Sequence, residues 1–156
     1  MILSGQSIRE RGIFTPFNEK SKQSGMSYGL SAAGYDVRIS LEGMHTYDDM
    51  LLLWPGDFVL AATLERFDMP DDLVGIVHDK STWARKGIAC QNTVIEPGWS
   101  GYLTLELTNH SSEVVRIAQG DPIAQILFHL TDKPVETPYE GKYQDQEAGP
   151  QEARFE

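Results

Sequence analysis

Cysteine is almost missing from this chain. Cys90 is the single one in 156 residues. One thiol cannot build an internal disulfide framework, and such a composition fits a reducing compartment, so a cytoplasmic location is expected. Basic residues are also scarce. Thirteen Lys and Arg stand against twenty-three Asp and Glu, a formal net charge of −10. A nucleic-acid-binding face needs clustered cations to replace counterions, so no nucleic-acid partner is expected. A small polyanion held in a locally basic pocket remains compatible, especially if a divalent metal shares its charge. Long apolar runs are missing too. The longest, residues 123–130, is interrupted by Gln125 and His129. It falls short of the roughly 20 residues a membrane span requires, so no membrane partner is expected. The opening Met1-Ile2-Leu3-Ser4-Gly5 lacks a basic region and a long apolar segment, which argues against a signal peptide.

What is present suffices for one domain with a real core: hydrophobic residues make up 40% of the chain and charged ones 23%. Residues 3–12 read as a short helix with Ser4 or Ser7 near its start and Gly12 after it. Residues 15–30 are rich in Ser, Gly, Lys and Pro and read as loop. Tyr35, Val37 and Ile39 then alternate with Asp36, Arg38 and Ser40, the period of a strand. Further strands are expected at 51–54, 57–63 with a continuation to 67, 73–77, 88–90, 93–95, 102–108, 114–118 and 123–130. A brief helical turn over 81–86 ends at Gly87. Short strands with turn signals every few residues indicate a mostly β sandwich or barrel. Residues 1–134 form that domain. Residues 135–156 carry Glu, Gln, Gly and Pro with almost no aliphatics, so they should be mobile until something orders them.

Three groups of residues can carry chemistry. Ser81 and Thr82 open the helical turn between Lys80 and Arg85, and helix starts suit phosphate. Ser81 and Arg85 share a face at a spacing of four, although an N-cap serine and a surface arginine explain the pattern equally well. In 102–108, Leu103, Leu105 and Leu107 fall on one strand face and Thr104, Glu106 and Thr108 on the other. Glu106 is therefore either solvated or held in a site that tunes it for proton transfer. Glu96-Pro97-Gly98-Trp99 is a tight turn that could hold a sugar hydroxyl and cover a ring, or could simply be a corner with Trp99 on the core.

Taken together and in order, these residues resemble the trimeric dUTPase and dCTP deaminase superfamily, and within it the dCTP deaminase branch. Lys80-Ser81-Thr82-Trp83-Ala84-Arg85-Lys86-Gly87 is similar to its Ser-x-x-x-Arg box. Ile95-Glu96-Pro97-Gly98-Trp99-Ser100-Gly101 with Leu105-Glu106-Leu107 is similar to its I-D-P-G-W-S-G…L-E box. Ala33-Gly34-Tyr35-Asp36-Val37-Arg38 resembles the early D-V-R strand. Gly141-Lys142-Tyr143-Gln144-Asp145-Gln146 with Gly149-Pro150 and Arg154 resembles the C-terminal tail. The resemblance implies a distorted jelly-roll subunit, a homotrimer with active sites at subunit interfaces, and a dCTP- or dUTP-type nucleotide bound with Mg²⁺. The metal would be held mainly by the triphosphate and water.

The family's roles then fall on Glu106, Arg85 and Ser81 as catalytic residues. Glu106 would shuttle protons while Arg85 orients it and Ser81 helps place the attacking water. Lys80, Thr82, Thr93, Val94, Glu96, Trp99, Tyr139, Lys142 and Gln146 would bind substrate, the last two and Tyr139 from a tail acting as a lid. Deamination of dCTP to dUTP and ammonia is the implied activity. The alternatives are a dUTPase, a bifunctional enzyme that continues to dUMP and pyrophosphate, action on a modified dCTP, or a non-enzymatic nucleotide sensor on the same fold. One cysteine excludes a zinc nucleobase deaminase, which needs a Cys-x-x-Cys pair, so no zinc is expected. Three departures stand out. Asp79 and Thr82 replace a glycine and a serine of the box. Glu96 replaces an aspartate, reaching about 1.5 Å further. Residues 87–96, the hairpin that reads the base in the family, are shorter than the family pattern.

Overall fold

A computed structural model describes residues 1–155. In chain order its elements are α1 (Gly5–Arg11), β1 (Phe14–Thr15), β2 (Ser21–Gln23), β3 (Met26–Leu30), β4 (Tyr35–Ser40), β5 (Met50–Leu53) and β6 (Phe58–Asp68). Then follow β7 (Leu73–Asp79), α2 (Ser81–Ala84), β8 (Ile88–Cys90), β9 (Val94–Ile95), β10 (Ser100–Asn109), β11 (Val115–Ala118) and β12 (Pro122–Leu130). The mostly β, jelly-roll-type reading is borne out. The loop expected over 15–30 is corrected: it contains β2 and β3, paired as a hairpin. Ser24 and Gly25 both take positive φ at its tip, the backbone a two-residue turn needs to match strand twist. A short polar strand beside a Gly-containing turn has the same composition as a loop, so alternation could not reveal it.

One sheet runs in the order β8-β10-β6-β4-β12-β7-β9, and β5 pairs with β11 separately. Its two end strands, β8 and β9, are joined by only Gln91, Asn92 and Thr93, so the sheet must curl until its edges meet. Residues 87–96 are therefore not a hairpin: β8 pairs with β10, whereas β9 pairs with β7.

β4 lies between β6 and β12, and all of its residues are buried except the partly buried Arg38. Its apolar residues Tyr35, Val37 and Ile39 are buried as the alternation requires. Its polar residues are inside as well, and each charge has a partner: Arg38 Nε bonds Glu65 at 2.7 Å, and Lys80 Nζ meets Asp36 at 3.0 Å. Phe14 stacks on Tyr35 and meets Phe67 and Phe128 edge-on at the centre of the core. Between Tyr102 and Thr104 the β10–β6 register shifts, as Tyr102 faces Arg66 and Thr104 faces Ala62. Thr63 fills the irregularity, accepting the Leu103 N–H at its hydroxyl.

Candidate active site

The curled sheet leaves a cavity of about 520 Å³ between β9 on one side and β6 and β10 on the other. Glu106, Glu96, Thr93, Val94, Trp99, Tyr139 and Gln146 all line it, seven residues that the sequence reading assigned to one site. Much of the remaining wall is apolar: Phe58, Leu60, Ile95 and Leu103. Leu103 departs from the expected alternation. The irregularity in β10 brings it to the same wall as Thr104 and Glu106, while Leu105 and Leu107 stay in the core.

Glu106 is the chemical centre of this cavity. Its Oε2 is buried and has no hydrogen-bond partner. Burial pushes its carboxyl above the ordinary range, with a backbone hydrogen bond only partly opposing it. A carboxyl in that state holds a proton near neutral pH more readily than a solvated one, and can both accept and return it.

Trp99 combines both roles weighed for it. It is buried against Phe67, its indole N–H donates to the Tyr143 carbonyl at 2.6 Å, and it lines the cavity. Glu96 is exposed at the cavity rim, where the Glu96–Trp99 turn closes through the Trp99 N–H to the Glu96 carbonyl. Gly98 has φ 81°, which the turn requires.

The tail crosses this cavity. Asp145 N–H donates to the Ser100 carbonyl and Tyr102 N–H to the Gln146 carbonyl, so Gln146 pairs beside Gly101 as a single parallel bridge. A Cβ on Gly101 would lie 2.6 Å from the Gln146 nitrogen, so the close approach needs glycine there. Further on, Gln151 N–H donates to the Thr104 hydroxyl, and Gln151, Glu152 and Ala153 complete the wall above Glu106. The segment's hydrogen bonds run to the β6–β7 turn at Asp71, to the Glu96–Trp99 turn and β10, and between its own residues Lys142, Tyr143 and Arg154. Lys142 does not line the cavity. Its ammonium donates to the Arg154 carbonyl, while Arg154 donates to the Lys142 carbonyl.

The cationic group lies elsewhere in the chain. Lys80 and Ser81 line a second cavity of about 330 Å³ together with Asp36, Asp79 and Lys20. Lys80 is buried and its charge is already met by Asp36. Thr82 and Arg85 are exposed on and after α2 and line neither cavity. Within this chain, then, Ser81 and Arg85 are not brought to Glu106. The sequence reading missed Phe58, Leu60, Thr104, Tyr143 and Gln151. Thr104 was legible from its shared strand face with Glu106, and Tyr143 from its place in the tail motif. Phe58 and Leu60 reach the site only through the pairing of β6 with β10. Among the described residues no cluster of three or more His, Cys, Asp or Glu is spaced to hold a metal ion, and no helix is long and apolar enough to cross a membrane.

Solved structures place the architecture in a class. The EIAV dUTPase is similar over 83% of this chain and 97% of its own, with a TM-score of 0.58 and 16% identity. A Staphylococcus bacteriophage 80alpha dUTPase covers 80% of this chain and 83% of its own at a TM-score of 0.55 and 17% identity. The fold is thus dUTPase-like. Sequence comparison is more specific. Residues 39–131 match the family described as dCTP deaminase-like. The dCTP deaminase of Campylobacter fetus subsp. fetus is 38% identical, with 92% of this chain and 93% of the relative covered. That of Thermococcus sibiricus is 37% identical, with 92% of each covered. The chain belongs to the dCTP deaminase-like family.

Proposed function

We propose that this protein deaminates dCTP, with Glu106 carrying protons between water and the base. One observation supports this reading above the others: a buried carboxylate oxygen without a partner, on an apolar wall, in a cavity built from the turn and tail the family motif names. In the reaction, a water adds to C4 of cytosine and gives a proton to the Glu106 carboxylate. The carboxyl passes that proton to the ring nitrogen. It next takes the remaining hydroxyl proton and delivers it to the amino group. The C4–N bond breaks, leaving dUTP and ammonia. Each step asks for a carboxyl that can be acid and base in turn, which a desolvated glutamate can be.

The sugar lies against Trp99 with its 3′-hydroxyl toward Glu96, and Thr93 and Val94 flank the base. Tyr139 and Gln146 cover the nucleotide, with Lys142 brought to its phosphates when the tail closes. Ser81, Thr82, Arg85 and Lys80 come to this cavity from a neighbouring subunit of a homotrimer. The separation of α2 from Glu106 within one chain supports that assembly, because a site needing both must draw them from two copies. Magnesium, when bound, would be held mainly by the triphosphate and water and would neutralise phosphate charge there.

Incubation of the protein and Mg²⁺ with dCTP and, separately, dUTP, followed by chromatography, tests the assignment. Ammonia and dUTP from dCTP are expected. Release of dUMP from dUTP with dCTP left intact would make the chain a pyrophosphatase instead.

A further inference from the structure

We propose that Asp79 is a positioning residue that pins the seam of the curled sheet and so sets the width of the cavity between Glu106 and β9. The inference rests on the deaminase reading for its catalytic consequence, but its structural part stands separately.

The seam is where the two ends of the sheet meet. Cys90, the last residue of β8, pairs with Leu107 on β10. On β8's other side no strand is paired with it, because β7 pairs with β9 and β12 instead. The Cys90 N–H would be left without a partner at that edge. The Asp79 carboxylate, at the end of β7, accepts it at 2.7 Å. A side chain thus performs the ladder bond that a strand would otherwise supply. A charged acceptor makes such a bond short and strong.

Immediately beyond the pin the chain crosses the seam. Gln91 N–H donates to the carbonyl of Glu106 at 3.0 Å, and Val77 N–H donates to the carbonyl of Thr93 at 3.1 Å. The crossing is therefore held by Glu106's own backbone at one end and by β7 at the other. Asp79 ties those two anchors to each other. Because Thr93 and Val94 form the wall facing Glu106, any slack in the seam changes the distance across the cavity. A short crossing has little length with which to absorb slack, which explains why a side-chain pin is present beside it. Cys90 provides a reporter. It is buried at the seam, and burial together with the Glu106 and Asp79 carboxylates pushes its thiol up to about 12. It should react only when the seam opens.

The test compares Asp79→Ala with Asp79→Asn. Both remove the negative charge, but Asn keeps an acceptor oxygen for the Cys90 N–H. The expected result is Cys90 alkylation by iodoacetamide at least about tenfold faster in D79A than in D79N. The kcat for dCTP should fall in D79A by a similar factor and recover in D79N, while KM changes less. Equal alkylation rates in D79A and D79N would overturn the pin. Equal kcat in the two, with alkylation separated, would overturn its control of the cavity. If D79A does not fold, Asp79→Ser, whose hydroxyl is too short to span the seam, replaces it with the same expectations. If the wild-type protein releases no ammonia from dCTP, the deaminase reading fails, and the alkylation comparison still decides the seam.

Discussion

Glu65 and Glu106 are glutamates on adjacent, paired strands, and burial raises the carboxyl of each. Their surroundings differ completely. Glu65 is fully buried and both its oxygens are satisfied by one residue, the Arg38 backbone N–H at 2.9 Å and Arg38 Nε at 2.7 Å. Tyr28 covers the same guanidinium with its ring. Glu106 faces a cavity, with one buried oxygen that bonds nothing. The first carboxylate is locked into the fold. The second has its desolvation only partly relieved, by a backbone hydrogen bond, and that cost is what the proposed proton exchange would draw on. Burial alone does not single out a candidate for proton transfer; burial without a partner, beside open space, is what the proposed role of Glu106 rests on.

The comparison breaks first on activity. Glu106→Gln should lower kcat for dCTP by about 10²–10⁴-fold, the usual range for a lost proton carrier, while nucleotide binding measured by calorimetry persists. Substantial ammonia release by E106Q would return Glu106 to the status of a wall residue. On stability the order reverses. Glu65→Ala leaves the Arg38 charge enclosed and should destabilise the fold by about 3–5 kcal/mol in chemical denaturation. Activity per folded molecule should stay near wild type. A loss below about 1 kcal/mol would mean that Arg38 finds water instead.

The tail sharpens the contrast because it closes one region and not the other. Ending the chain at Gly141 removes the Gln146 bridge and the Gln151 bond to Thr104. The KM for dCTP should rise about tenfold or more, with stability little changed. Gly101→Ala should act in the same direction through the clash with Gln146, and unchanged kinetics in both variants would mean the tail is not a lid. The smallest effect is a pH dependence. A carboxyl raised on folding binds its proton more tightly in the native state, so stability falls as pH rises from the unfolded-state value through the folded one. Glu106→Gln removes that penalty. Its Tm should exceed the wild-type Tm at about pH 8, and the gap should close in acid. A gap that is constant with pH would show that Glu106 is not desolvated.

The sequence carried these two glutamates unequally. Glu106 stands on the polar face of an alternating strand, which leaves it either solvated or functional, and through the motif it shares with the family it is legible as a candidate. So are the Glu96–Trp99 turn, the tail residues Tyr139 and Gln146, and most strands, whose period and turn residues are local signals. Glu65 gives no signal, because its partner lies on β4 and is reached only through the pairing of β4 with β6. Phe58, Leu60 and the Asp79 bond to Cys90 are hidden for the same reason: each depends on strand order and on the closing of the sheet. The β2–β3 hairpin escapes notice because β2 is short and polar and β3 is interrupted by Gly29, so neither shows a clear alternation. The division of Ser81 and Arg85 from Glu106 cannot be read from spacing, since distance along the chain says little about where strand order and sheet closure place each side chain.

Whether Glu106 holds its proton is the sharpest question the contrast raises. Its titration can be followed by carbon-detected NMR in protein labelled at glutamate, with E106Q used to assign the resonance. A proton held above the ordinary glutamate value of about 4.3 is expected, with an acid limb of kcat/KM for dCTP falling at that same pH. A Glu106 that titrates at the ordinary value, with kcat/KM indifferent to its ionisation, would contradict its role as the proton carrier.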